Sequence, residues 1–257
     1  MRYHQIVTIG RYTLLEAYRT RLPWLVLIVL AAIMSASFFI QQLAITESAR
    51  MQAAFTAAAT RFAMVFVLSL HVLNSMVREF NDKVLELVLS FDLPRSHYVL
   101  GRLFGFLLIA LLMALIATLP HLVLAPLPAA LQWGLSLTLE LAIMTTLSLF
   151  CIVTLTQLMP AASFVFGFYL LARALTAIRL MSDTPLAGGG TWSHQVISWL
   201  VDGLALVLPA LDDFTQSAWL VDGAAAWPAL GALAWQALLY AVLLTAAAMF
   251  DFYRRNL

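Results

Sequence analysis

Two ionisable residues stand inside long apolar runs, and they are the first candidates for chemistry. Glu140 lies in "LTLELAIM" and Arg173 in "LLARALTA". A charge near the centre of a membrane-spanning helix costs at least about 2.5 kcal/mol on insertion scales, so it needs a partner or a task. An opposite pair at equal depth meets that need in one of two ways. It is a clamp that satisfies both charges within one subunit, or a station on a substrate path; pairing alone already accounts for the cost. The second concentration of charge is "VREFNDKVLELVLSFDLPRSHYVLGRL", Val77–Leu103, in a chain that is 63% hydrophobic and only 11% charged.

Catalytic motifs are missing. No G-x-x-x-x-G-K-[ST] occurs, and "GRLFGFLL" and "AGGGTW" lack the Lys that would reach a phosphate. There is no H-E-x-x-H, no G-x-S-x-G and no carboxylate pair at helical spacing within an apolar run. The chain is therefore not expected to be an enzyme or to bind a cofactor or metal. His194 with Asp212 and Asp213 reads as ordinary surface polarity, and the Met residues show no paired spacing for copper. Cys151 is the only cysteine, which excludes disulfides within the chain.

Apolar surroundings must position these residues. Mean hydropathy is +0.94, outside the range of soluble domains. A spanning helix needs roughly 20 apolar residues. Six runs qualify: Pro23–Leu43, Ala57–Val77, Tyr98–Ala117, Leu131–Thr154, Ala161–Met181 and Ala229–Phe250. Glu140 and Arg173 then both lie about 12–14 Å from the outer ends of their spans, on helices joined by a short turn around Met159–Pro160. Arg61 and Arg179 fall within a turn of the outer interface, where long side chains snorkel. His71 reads as a packed hydrogen-bonding residue, and Gly101 with Gly105 as a small-x-x-x-small pair.

Basic residues orient the spans. Arg2, Arg11, Arg19 and Arg21 precede the first. Arg78, Lys83, Arg95 and Arg102 flank the second loop, and Arg254 and Arg255 follow the last. These ten of 14 Lys and Arg residues fall on one side when six spans are drawn, which predicts both termini in the cytoplasm. The opposite side has Arg50, an uncharged Pro126–Ala130 turn, and a long Ser182–Pro228 segment without Lys or Arg. That last segment is expected to be periplasmic. Its run "VISWLVDGLALVLPAL" is interrupted by Asp202, Gly203 and Pro209, so it reads as an interfacial or re-entrant helix and not as a seventh span. A net charge of +1 provides no basic face for nucleic acid.

The expected architecture is thus all-α and polytopic, a single transmembrane domain over 1–257. Residues 1–22 lack the features of a cleaved signal peptide. In them Tyr12, Leu15 and Tyr18–Arg19 alternate with charge, and Pro23 ends the pattern. This predicts an amphipathic basic helix along an anionic cytoplasmic leaflet, or a charged stop before the first span. Between Arg78 and Phe91, the apolar Phe80, Val84, Leu87, Val88 and Phe91 recur at i, i+4, i+7, i+8 and i+11, a second amphipathic stripe. Glu79–Lys83 is a favourable i, i+4 pair, and Pro94 ends the helix.

The order here is a Glu at the end of a span, "KVLELVLSFDLPRS", then "YVLGRL". It resembles the permease subunits of the type-two ABC exporter family. The likeness is to small six-span bacterial members of the kind that pair with a copper-enzyme maturation or gliding-motility ATPase. In that family a Glu precedes "T-L-E-L-L-L-S-x-P-[IV]-[PS]-R", followed by an aromatic residue and Gly-Lys or Gly-Arg. The matching positions are Glu79, Leu85–Glu86–Leu87, Leu89–Ser90, Pro94–Arg95, Tyr98 and Gly101–Arg102. Asp82 replaces the family's small residue, Val84 its Thr, and Asp92 stands where many members have Pro.

The resemblance implies a cytoplasmic coupling helix over 78–96 that docks on an ATPase through Glu79, Asp82, Lys83, Glu86, Pro94 and Arg95. It implies a dimer with a second copy or a paralogous permease in the bacterial inner membrane, ATP and Mg bound by the partner ATPase, and transport or a mechanical signal as the output. A periplasmic protein is a further possible partner. Two other readings stand beside it: an ATP-independent carrier, and an anchor that links cytoplasmic and periplasmic partners.

Overall fold

The structure, a computed structural model, describes residues 2–43, 48–82, 94–183, 199, 201, 203–204, 207–223 and 227–254. Regular structure among them is helical. The helices are α1 (Arg2–Arg19), α2 (Leu22–Leu43), α3 (Ser48–Asn81), α4 (Arg95–Thr118), α5 (His121–Leu124), α6 (Leu127–Leu155), α7 (Leu158–Asp183), α8 (Ala218–Asp222) and α9 (Trp227–Arg254), with a 3-10 turn at Leu211–Asp213. Among the described residues six stretches are long and apolar enough to cross a membrane: Leu22–Gln42, Ser48–Asn81, Arg95–Leu124, Leu127–Leu155, Leu158–Ile178 and Trp227–Arg254.

Two prolines act differently from their sequence expectation. Pro23 does not end the N-terminal helix. The break falls at Arg21, in the left-handed region with φ 59°, and Pro23 sits inside the first turn of α2. Likewise the α6–α7 turn is at Thr156, φ 60°, and not at Met159–Pro160; Pro160 is the third residue of α7. In a first helical turn the backbone N–H has no helical acceptor, so proline costs nothing there.

α6 is the central element. Among the described residues it packs against α3, α4, α7 and α9, and most of its side chains are buried, with Leu127, Leu131 and Leu135 exposed along one face of its first half. α3 runs antiparallel to α4, since Ser75 faces Arg102 and His71 faces Phe106. α1 lies beside α4 in the same direction: Ile9 meets Gly101, and Gly10 and Thr13 meet Gly105. A Cβ on Gly105 would stand 2.5 Å from Thr13 Cβ and 2.9 Å from the Gly10 carbonyl oxygen. Only glycine lets these two backbones approach so closely. α2 and α9 are peripheral and expose apolar side chains such as Trp24, Ile28, Phe39, Trp235 and Val242, the composition of a hydrocarbon-facing surface.

α3 extends well past the predicted Ala57–Val77 run. Its start lies where Ala53, Thr56, Ala57 and Thr60 are small enough to pack closely, and these four are buried. Arg61 therefore sits about 20 Å along the helix, inside the bundle and 6% exposed. It does not snorkel to an interface.

Candidate functional site

The described ends of α3 and α4 that flank 83–93 meet in a polar junction built from three helices. Helical spacing assembles it. Ser75, Arg78 and Glu79 share one face of α3, Tyr98 and Arg102 one face of α4, and Thr13 and Glu16 one face of α1. Arg102, 3% exposed, is the hub. Its Nε donates to Glu79 Oε2 at 3.0 Å and its Nη2 pairs with Glu79 Oε1, a two-point grip on the α3 carboxylate. Nη1 donates to Glu16 Oε2 at 2.9 Å and to Thr13 Oγ1 at 3.0 Å, and Nη2 also donates to Ser75 Oγ at 3.2 Å.

Both carboxylates are filled from other sides. The Tyr98 hydroxyl donates to Glu79 Oε2, while Ser75 Oγ and Arg78 Nη2 donate to Glu16 Oε1 at 2.7 and 2.9 Å. Burial alone pushes the Glu16 carboxyl up. The Arg102 guanidinium, with hydrogen bonds from Arg102, Ser75 and Arg78, more than reverses this and holds it below the ordinary carboxylate range. Tyr98 stacks at 6.0 Å on Phe252 of α9, and Arg95 Nη1 donates to the Phe252 carbonyl at 3.5 Å. Thr154 of α6 donates to Asp251 of α9 at 2.7 Å. The junction thus ties α1, α3 and α4 together and reaches α9.

The predicted contact residues separate. Glu79 turns inward to Arg102 and Tyr98. Asp82 is exposed, one residue beyond α3, with its amide on the Arg78 carbonyl. Pro94 is exposed and N-caps α4 with φ −59° and ψ 134°, and Arg95 is the first helical residue. Lys83 and Glu86 lie outside the described residues, as does most of 78–96. So does His194.

A second polar cluster lies deep in the bundle. Arg173 Nη1 is 3.4 Å from Glu140 Oε1, and Glu140 is fully buried. The cluster is larger than this pair. Tyr169 donates to Glu140 Oε1 at 3.2 Å, and Thr215 Oγ1 donates to Oε2 at 2.5 Å. Arg173 Nη1 also donates to the Leu211 carbonyl at 2.7 Å, Arg61 Nη1 to the Thr215 carbonyl at 2.9 Å, and the Thr215 amide to Ser136 Oγ at 3.0 Å. Asp212 is at the edge, 4.0 Å from Arg173 Nη2. Leu211, Phe214 and Thr215 are fully buried, so this part of Ser182–Pro228 enters the bundle and is held there by α3, α6 and α7. The arrangement is a hydrogen-bonded cluster around two arginines and one carboxylate, with Arg61 Nε left unpaired among the described residues, and it clamps an irregular backbone segment.

Sequence reading missed Arg102 and Tyr98 as partners of Glu79, Glu16 as the second carboxylate on Arg102, Tyr169 and Thr215 as partners of Glu140, and Arg61 as a donor to the Thr215 carbonyl. The available signal was polar spacing: Ser75/Glu79, Tyr98/Arg102, Ser136/Glu140 and Tyr169/Arg173 are all i, i+4 pairs. Among the described residues no group of three His, Cys, Asp or Glu side chains is placed to hold a metal ion. Compared with known proteins, the chain matches no family model and no curated protein.

Proposed function

We propose that this chain is the permease subunit of an ATP-driven ABC transporter of the bacterial inner membrane, with ATP and Mg held by a separate cytoplasmic ATPase. It works as a dimer with a second copy or a paralogue, and both termini face the cytoplasm. Segment 78–96 is the coupling element that docks on the ATPase, its residues 78–81 being the end of α3 and 95–96 the start of α4 and not one separate helix, and α1 is the interfacial N-terminal element. Export or a mechanical signal is the output.

The observation that carries this reading is the Arg102 junction. A helix pushed from the cytoplasm does nothing unless its two ends are fixed to spans. Glu79 lies four residues before position 83, where the coupling segment leaves α3, and Tyr98 lies four residues after Pro94, where it returns. Tyr98 donates to Glu79, and Glu79 is gripped by one buried guanidinium, which also holds Glu16 of α1. A displacement of 83–93 is thereby delivered to α1, α3 and α4 together and not absorbed in slack loops. Within that reading Glu79 transmits the force, and Asp82, Lys83 and Glu86 make the outer contact.

The test is capture from native membranes with a photocrosslinking residue at Asp82. The expected product is a nucleotide-hydrolysing protein whose ATPase rate in the purified complex falls on Glu86→Lys substitution. An intact complex that yields no such protein refutes the proposal. ATP hydrolysis that moves no solute supports the mechanical or anchoring output, and transport by this chain alone supports an ATP-independent carrier.

A further inference from the structure

We infer that the chain holds one anionic phospholipid in the groove between the α1–α2 corner and α4. The groove has a volume of about 430 Å³ and is lined by apolar side chains, among them Leu14, Leu22, Val26, Met113 and Ile116. That volume suits a bound small ligand and not a protein segment. Its walls are Leu14 and Leu15 of α1, Val26 of α2 and, over about 10 Å of α4, Ile109 to Ile116. A lipid acyl chain has that chemistry.

The headgroup side is given by charge. Leu15 also lines a neighbouring cleft of about 410 Å³ with Tyr12, Glu16, Arg19, Thr20 and Arg78, so the apolar groove and a polar one adjoin at this side chain. In that cleft Glu16 is bonded to Arg78 and Arg102, and Arg102 also neutralises Glu79. These two cations and two anions balance. Arg19, exposed, remains as the excess positive charge among the described residues that line the cleft, with Arg21 exposed beside it in sequence. An anionic phosphate is the complement, at the depth where a chain in the groove places its headgroup. The break at Arg21 shapes the site, because it turns α1 into α2 around the groove. This inference goes beyond the transport reading and does not depend on an ATPase.

Purified full-length chain in detergent micelles, titrated with phosphatidylglycerol or phosphatidylcholine and read by native mass spectrometry, tests it. One phosphatidylglycerol per chain is expected in preference to phosphatidylcholine, unaffected by inorganic phosphate. Arg19→Gln is expected to weaken retention about fivefold. Arg11→Gln, which removes the same charge from the same helix outside the cleft, leaves it unchanged. Leu112→Trp narrows the groove from its exposed side and lowers retention; neither Arg19 nor Leu112 is a core residue, so folding is preserved. Equal retention of the two lipids, equal loss in Arg11→Gln and Arg19→Gln, displacement by phosphate, or an unaffected Leu112→Trp would each overturn it.

Discussion

Arg102 of α4 grips the Glu79 carboxylate of α3 at two points and donates a third nitrogen to Glu16 of α1. One guanidinium thus sets the relative positions of three helices that sequence separates by up to 86 residues. Removing it leaves two carboxylates in a largely desolvated junction. Arg102→Met is expected to cost about 3–5 kcal/mol, seen as a lowered midpoint of thermal unfolding in detergent. Arg102→Lys recovers only part of this, because an ammonium lacks the planar fork that meets Glu79 and Glu16 at once.

Glu16 makes the same junction sensitive to acid. Its folded-state pKa is depressed, so its contribution to stability is present above the ordinary carboxylate range and is lost as pH falls through the folded value. Wild-type unfolding midpoints should therefore drop on acidification below the ordinary Glu range. Glu16→Gln should lower the neutral-pH midpoint and flatten that part of the profile. A wild-type profile that matches Glu16→Gln across this window removes the role given to the carboxylate.

The α1–α4 contact depends on absent side chains. Gly105→Ala places a methyl group against Thr13 Cβ and the Gly10 carbonyl, and one of these is backbone that cannot rotate away. The expected loss is about 1–3 kcal/mol, with α1 displaced from α4. Trypsin reports it. The exposed Arg11, Arg19 and Arg21 should be cleaved faster in the variant than in the parent protein.

The deep clamp predicts a different readout. Cys151 is the only cysteine, so Cys151→Ala supplies a background for labelling a cysteine placed at Leu211. Leu211 is fully buried and its carbonyl accepts from Arg173. Labelling by a maleimide should be slow in that background and rise about tenfold when Arg173→Gln is added, as the Leu211–Thr215 backbone loses its donor and opens locally. Unchanged labelling means the apolar packing of Phe214, and not Arg173, keeps the segment in place.

Membrane character and span number were legible because twenty consecutive apolar residues have few alternatives to crossing a bilayer. The Glu140–Arg173 pairing was legible for a related reason: two buried charges of opposite sign on consecutive spans have strong cause to meet. Helix ends were less so. Pro23 and Pro160 are breakers only when an N–H is needed, and inside a first turn none is. Arg61 was misplaced because hydropathy marks the apolar part of α3 and not the small-residue turns that continue it into the bundle.

The amino-acid sequence by itself determined the solvent, the helical class and the location of charge, because these follow from transfer free energies that act residue by residue. Only the tertiary structure decided which charges are used internally. Glu79 and Asp82 are three residues apart and chemically alike, yet one is bonded to Arg102 and Tyr98 and the other is exposed. That difference comes from helical phase and from the close approach of α1 to Gly101 and Gly105, which bring Glu16 to Arg102. Contacts between distant segments depend on how helices pack, and local composition does not encode their pairing.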